Sequence, residues 1–405
     1  MSHQVLVINC GSSSLKFAVL GGHSNCPILE GIAERLDSPE QSFITFKHNG
    51  AKSVSALPGG DHQAAVGAIK EWIHNNKSAA IQLAGIGHRV VHGGELFSES
   101  VIVDERVLAG IEQCANIAPL HNPAHIKGIK EAQKQFGKLP HVAVFDTAFH
   151  QTLSADQYLY PIPMRLYREH HFRKYGFHGT SYRYISMQLA ELSPTYGKQN
   201  ALIAHLGNGA SVCAISGGVS VDTSMGITPL EGLMMGTRSG SLDPSLLSFI
   251  AHAEQLSMDE ALNILNKDSG LKGISEKSND CRTLEMAQAS GDTQADLALT
   301  MFASRAAKHL ASVATNLESL EHLIFTGGIG ENSALIRSRI CQRLKTLGII
   351  LDETKNESVP RGEISCIAPI NAVIKVWIIP TNEELLIAQD TLHLINKSIE
   401  PSPNT

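Results

Sequence analysis

The chain has 405 residues, room for two or three domains at roughly 150 residues each. Its 43 % apolar and 18 % charged residues support a large core and exclude disorder and collagen-like repeats. Lys and Arg number 33 against 39 Asp and Glu, a net charge of −6 with no basic block, which argues against nucleic acid as a partner.

Short β-branched or apolar runs alternate with helical patterns, an α/β signature. Val5–Asn9 runs through Cys10-Gly11-Ser12-Ser13-Ser14 into a second apolar stretch ending at Val19, so strand, glycine turn and strand are predicted. The glycine lets backbone N–H groups approach an anion, the serines add donors, and Lys16 adds a point charge. Phosphate binding is favoured over an ordinary hairpin turn, although the sequence contains no Gly-x4-Gly-Lys-Ser/Thr loop. Leu83–Val91 is the next strand. Its Arg89, in Gly87-His-Arg-Val-Val-His-Gly-Gly94, stands among glycines that would expose a guanidinium suited to carboxylate or phosphate. A surface ion pair is the plainer alternative. Asn122–Pro123 reads as an N-cap followed by Pro at the first helical position. His121 reads as structural, and His121 with His125 lacks a third nearby donor for a metal. Val142–Asp146 ends on a carboxylate at a strand mouth, where ligand contact and capping are both open for Asp146. His178, in Tyr175-Gly-Phe-His-Gly-Thr180, is exposed by glycines.

The second half repeats the opening layout. Leu202–Leu206, Gly207-Asn208-Gly209 and Ala210–Ile215 again read as strand, glycine turn, strand. Two hairpins half a chain apart suggest a duplicated domain, with chance similarity as the alternative. Arg238 in Met234-Met-Gly-Thr-Arg-Ser-Gly240 is a second arginine among glycines. Ala298, Phe302, Ala306, Leu310, Val313 and Leu317 form one buried helical stripe. Leu323–Thr326 leads into Gly327-Gly-Ile-Gly-Glu-Asn332, either a phosphate-approach turn or a tight turn capped by Asn332 or Ser333, ahead of a helix over Ser333–Leu347. Val373–Ile379 is the last strand, and Glu383–Leu394 the last helix. The acids of Thr381-Asn-Glu-Glu384 suit a helix's first turn or a water-held Mg²⁺. Ser398–Thr405 is expected to fray.

No apolar run approaches the roughly 18 residues of a membrane span, and Met1–Asn9 lacks the features of a signal peptide. Seven scattered cysteines without a Cys-x-x-Cys pair point to a reducing, cytoplasmic setting and away from structural zinc.

Taken together these segments resemble the acetate kinases. The matches are Asn9–Lys16, Gly87–Gly94, Pro119–Pro123, Phe145–His150, Arg173–Ser181, His205–Gly209, Glu231–Gly240, Lys277–Arg282, Phe325–Asn332 and Pro380–Glu384, in family order over nearly the whole chain. The resemblance implies an α/β fold of duplicated ribonuclease-H-like (actin/Hsp70-type) domains with a nucleotide cleft between them. The expected division is residues 1–147 plus 385–405, with a returning C-terminal helix, and residues 148–384. It also implies a homodimer that uses acetate, acetyl phosphate and ATP or ADP, with Mg²⁺ (or Mn²⁺) as cofactor.

The resemblance assigns roles as follows. Asn9 and Glu383 would hold Mg²⁺ through its waters. Ser12, Ser14 and Lys16 would contact the phosphates. His205, Leu206, Gly207, Asn208 and Gly209, then Asp280, Cys281 and Arg282, then Gly327, Gly328, Ile329, Gly330 and Glu331 would hold ATP. Arg89 would bind the substrate carboxylate, with Asp146, His178 and Arg238 as further catalytic residues. Val91, Leu120, Phe177 and Pro229 would surround the methyl group, and His121 joins the substrate set. Ser241 and Ser245 depart from an expected Asp and Gly, and Leu153-Ser154 from Met-Pro. Cys10 is a candidate reactive thiol.

An already ionised carboxylate needs no general base, so Asp146 reads here as an orienter. Three other readings stay open. A propionate or short-chain acyl kinase would differ in relative kcat/KM. An actin- or Hsp70-like nucleotide switch would have no need of Arg89, Arg238 and an acyl pocket. A sugar kinase would need a polar sugar pocket, for which no Asn, Asp and Gln cluster is evident.

Overall fold

The computed structural model describes residues 4–22, 24–118 and 121–399. The described strands form two sheets. The first contains β1 (Gln4–Cys10), β2 (Ser14–Gly21), β3 (Leu29–Glu34), β4 (Phe43–His48), β5 (Ala51–Ala56), β6 (Leu83–Val90), β7 (Val101–Ile102) and β8 (His141–Phe145). The second contains β9 (Ala201–Leu206), β10 (Ala210–Ser216), β11 (Val219–Thr223), β12 (His322–Thr326), β13 (Ser365–Cys366) and β14 (Lys375–Ile378).

Their orders are β5-β4-β3-β2-β1-β6-β8-β7 and β11-β10-β9-β12-β14-β13. In the first, β3, β2 and β1 run antiparallel, then β6 and β8 lie parallel to β1. In the second, β11, β10 and β9 run antiparallel, then β12 and β14 lie parallel to β9. The same 3-2-1-4-5 order appears twice, so the ribonuclease-H-like fold is present in duplicate, as the paired hairpins suggested. The central strands read as apolar runs because helices cover both of their faces. β9 and β12 are buried along their whole length.

Two compact units result, Met1–Phe149 with Asn382–Thr405, and His150–Thr381. Glu383 therefore sits in the first unit, whereas the sequence boundary at 384/385 put it in the second. The helix Glu383–Ile399 lies on β1 and β6. Two glycines of β6 let it approach closely. A Cβ on Gly87 would stand 2.6 Å from Ile387 Cγ2 and 2.7 Å from Thr391 Oγ1, and one on Gly85 would stand 2.5 Å from Ile395 Cδ1.

Several local expectations shift. The helix Asn122–Phe136 begins one residue earlier than predicted, with His121 at the N-cap and no side-chain cap. Asn122 instead donates to the carbonyls of His92 and Ile111, at 3.0 and 3.2 Å. Ser333, not Asn332, caps the helix Ala334–Arg343 by accepting from Ile336 N at 3.0 Å. The long helix Thr293–Ala314 buries the predicted stripe as far as Val313, and Leu317 lies beyond its end. Val373 is exposed ahead of β14.

Gly87→Ala should destabilise the protein by about 1–3 kcal/mol, the usual range for overpacking. Urea unfolding would show it, and an unchanged midpoint would contradict the packing described.

Candidate functional site

In the first unit the predicted residues gather at the C-terminal ends of parallel strands, where ligands bind in open α/β sheets. Asn9 is the penultimate residue of β1, and its antiparallel register partner is Lys16. The turn between them is pinned at its backbone. Gly11 N donates to Ser14 O at 2.7 Å, Leu36 N donates to Ser13 O at 3.0 Å, and His62 Nε2 donates to Gly11 O at 2.8 Å. Ser12 and Ser13 stay exposed. Cys10 does not behave as a reactive thiol. It is 4 % exposed and packs against Gly128, and burial pushes its pKa up to about 12.

Arg89 lies on β6 and Asp146 directly follows β8, its N–H donating to Val90 O at 3.0 Å. Asp146 is 1 % exposed. Arg89 grips it with two donors, Nε to Oδ1 at 3.2 Å and Nη2 to Oδ2. Nε also lies 3.9 Å from Glu383 Oε2. Burial opposes the Arg89 charge, but Asp146 and then Glu383 hold its pKa above the ordinary value. Burial pushes the Glu383 carboxyl up to about 7; Asp146 and Glu384 add to this, while Arg89 and Lys16 oppose it. Val91 is buried next to this cluster in sequence, and His121 precedes the helix that carries His125. Leu120 lies outside the described residues.

In the second unit His178 caps the helix Gly179–Leu192 with a left-handed φ of 58°. That backbone is costly for a non-glycine residue and such strain clusters at functional sites. Its Nδ1 lies 2.8 Å from Ser211 Oγ, and its ring stacks on His205 with centroids 4.2 Å apart. His178 Nε2 and Arg238 Nη1 converge on one spot, 3.5 and 3.7 Å from where a Cβ on Gly209 would stand. The missing side chain keeps that space open. Burial lowers the Arg238 pKa, as expected for a cation poised for an anion. The Arg238 loop is tied down by Gly236 N to Asn208 O at 2.9 Å and by Met235 N to Arg238 O at 3.0 Å. Ser241, where an Asp was expected, accepts from Gly232 N and donates its own N–H to Gly232 O, both at 2.9 Å. Phe177 is buried and Pro229 half-buried.

A cavity of about 760 Å³ in this unit is lined by Gly207, Asn208, Asp280, Cys281, Arg282, Gly328, Ile329 and Glu331. His205, Leu206, Gly327 and Gly330 are buried, and neither they nor Gly209 belong to its lining. Two lining carboxylates are engaged by the protein. Asp280 caps the helix Cys281–Ala289, and the Thr283 hydroxyl at 2.7 Å lowers its pKa. Glu331 Oε1 accepts from Gly327 N at 2.9 Å and Thr381 N at 3.2 Å. Burial raises the Cys281 thiol. Sequence reading missed Asn279, Arg337, Asn356, Val359 and Arg361, which also line the cavity. Asn279 adjoins Asp280 in the Lys277–Arg282 segment, but no local motif marks the other four, which tertiary folding alone brings there. The segment expected as a glycine turn is a short helix, Gly327–Asn332, and Arg337, which is buried, fixes it by donating to Asn356 Oδ1 at 2.7 Å and to Gly330 O at 3.0 Å.

The profile of the acetokinase family matches residues 4–389. The chain belongs to the acetokinase family. It is 49 % identical to an acetate kinase of Chromobacterium violaceum over 395 residues, 97 % of this chain and 99 % of that one. The structure of Porphyromonas gingivalis acetate kinase matches with a TM-score of 0.92 at 40 % identity, over 97 % of this chain and 100 % of that one. A propionate kinase from Francisella tularensis subsp. tularensis SCHU S4 matches at 0.91 and 45 %, with the same coverage. Among the described residues no helix is long and apolar enough to cross a membrane, and all seven cysteines are unpaired.

Several histidines are buried near Arg89. His125 Nδ1 donates to Arg89 O at 2.7 Å, and burial lowers His125 to about 4, His141 to about 4 and His92 to about 3. Unfolded histidine titrates near 6.5, so stability is complete above about pH 6.5 and is lost progressively as pH falls toward 4. Urea unfolding at about pH 5 should give at least about 1 kcal/mol less stability than at pH 7.5. Equal values would refute the buried neutral assignment.

Proposed function

We propose that the protein transfers the γ-phosphoryl group of Mg-ATP reversibly to acetate, giving acetyl phosphate and ADP. The observation that carries this reading is Arg89, fixed on Asp146 at the mouth of a parallel sheet. Asp146 engages two of the five guanidinium donors, and three remain for an anionic substrate.

The chemical obstacle is charge, because an anionic carboxylate must approach an anionic phosphoryl group. Such transfers depend on positioning and electrostatic relief. Arg89 binds and orients the attacking carboxylate, and Val91, Leu120, Phe177 and Pro229 enclose its methyl group, with His121 also in the substrate set. Lys16, Ser12 and Ser14 hold phosphate oxygens. Arg238 and His178 stabilise the equatorial oxygens in an in-line, direct transfer. The nucleotide is held by the cavity around Asn208, Arg282 and Ile329, with the strand end at His205 and the short glycine-rich helix Gly327–Asn332 behind it. Asp146 orients Arg89 and is not a proton carrier.

The residues also fit a magnesium ion. Among the described residues no three His, Cys, Asp or Glu side chains form a metal cage, and Mg²⁺ prefers few protein oxygens plus waters and phosphate oxygens. Asp146 and Glu384 crowd Glu383 with like charge, which a cation would relieve. Asn9 and Glu383 would hold it, with Mn²⁺ able to replace it, and the ion would neutralise phosphate charge. The family likeness and the unpaired cysteines support a homodimer in the cytoplasm.

Propionate as the preferred substrate is the second reading, favoured by the match to the Francisella enzyme. One methylene in an apolar pocket is worth only about 1–3 kcal/mol. Acyl phosphate trapped as hydroxamate should form with Mg-ATP and acetate faster than with propionate or butyrate. Propionate ahead would replace the substrate, and no acyl phosphate at all would reject the kinase reading.

Asp146→Asn should lower kcat/KM for acetate by about 100-fold or more and leave the shape of its pH profile intact. A wild-type pKa that disappears in the variant would make Asp146 a proton carrier instead.

A further inference from the structure

We propose that Tyr182 and Ser211 are positioning residues that hold the His178 imidazole in its Nε2–H tautomer. The proposal rests on the reading of His178 as a donor to the transferred phosphoryl group and specifies how the fold prepares that donor.

The geometry is a buried three-member relay. Ser211 Oγ bonds Tyr182 OH on one side and lies 2.8 Å from His178 Nδ1 on the other. Tyr182 and Ser211 are each 0 % exposed, so no solvent competes for either bond. A serine hydroxyl has one hydrogen to donate, so the direction of the relay decides the tautomer. The phenol settles that direction. Among the described residues, Ser211 Oγ is the hydrogen-bonding group within reach of its oxygen. The phenol's own hydrogen then needs an acceptor, and Ser211 Oγ provides it.

Reversing the relay would leave the Tyr182 hydrogen buried without an acceptor, an arrangement that folded proteins avoid. Ser211, accepting from Tyr182, donates to His178 Nδ1. A neutral imidazole with an accepting Nδ1 carries its proton on Nε2. Nε2 is the atom that shares the open spot at Gly209 with Arg238 Nη1. The stack on His205 at 4.2 Å fixes the ring plane.

The relay makes neutral His178 a hydrogen-bond donor, so donation does not require the imidazolium. The logic is that of an orienting group that selects a tautomer without touching the reacting atoms. Neither Tyr182 nor Ser211 contacts substrate in this scheme. Their hydroxyls differ from ordinary core polar groups in setting the identity of a donor two bonds away.

The test uses the full-length protein labelled with ¹⁵N-histidine, read by long-range ¹H–¹⁵N correlation at about pH 8, above the ordinary histidine range. His178 is assigned by the signals lost in His178→Asn. The expected wild-type result is a protonated Nε2 and a bare Nδ1. Tyr182→Phe and Ser211→Ala should shift the proton toward Nδ1. They should lower kcat for acyl phosphate formation about 10- to 100-fold, as for loss of one preorganised donor. KM for acetate and ATP should stay within about twofold, the pattern of an interaction made only in the transition state. Ser211→Thr, which keeps the hydroxyl, should restore both readouts.

A proton on Nδ1 in the wild type overturns the proposal. So do folded Tyr182→Phe and Ser211→Ala variants with unchanged tautomer and kcat. Should Ser211→Ala fail to fold, the wild-type spectrum and Tyr182→Phe decide. A wild-type Nε2–H signal without any acyl phosphate formation supports the relay and rejects the kinase reading.

Discussion

The paired charge of Arg89 and Asp146 gathers three distant stretches of the first unit. Arg89 comes from β6, Asp146 from the residue after β8, and Glu383, 3.9 Å from the guanidinium, from the first turn of the closing helix. A carboxylate as buried as Asp146 is tolerable only when it is paired, so the sheet, the closing helix and the site stand or fall together. The pairing also immobilises a long side chain that would otherwise lose rotamer entropy on meeting a substrate. The His125 ring on the Arg89 carbonyl holds the backbone beneath it.

The second unit solves a related problem differently. Among the described residues no carboxylate forms an ion pair with Arg238, and burial depresses its pKa. It is held by its loop, through Asn208 and the Gly232–Ser241 pair. One arginine is thus positioned by a partner charge and the other by backbone hydrogen bonds. The second arrangement leaves its full charge for an incoming anion.

Much of this was legible in the sequence because it is local. A strand–glycine–strand pattern needs only neighbouring residues, so both hairpins and the duplication could be read from Val5–Val19 and Leu202–Ile215. Arg89, Asp146, His178 and Arg238 announced themselves through glycines or strand ends. Other features were not legible because they arise from packing. Nothing near Asn356 or Arg361 marks them as cavity residues. Asp280 and Glu331 read as ligand groups, and only the fold shows Thr283, Gly327 and Thr381 already bonded to them. Cys10 stood in an exposed-looking turn, and its burial depends on Gly128 from a helix far along the chain.

The helix that covers Gly85 and Gly87 belongs to the chain's last stretch. During synthesis, β1 and β6 emerge long before it, and the whole of residues 150–381 must be made in between. The second unit is continuous and can complete its core as soon as it leaves the ribosome. The first unit must wait with two buried-type strands uncovered until Glu383–Ile399 appears. Its nascent form therefore exposes apolar sheet surface, so the first unit, although translated first, is completed last.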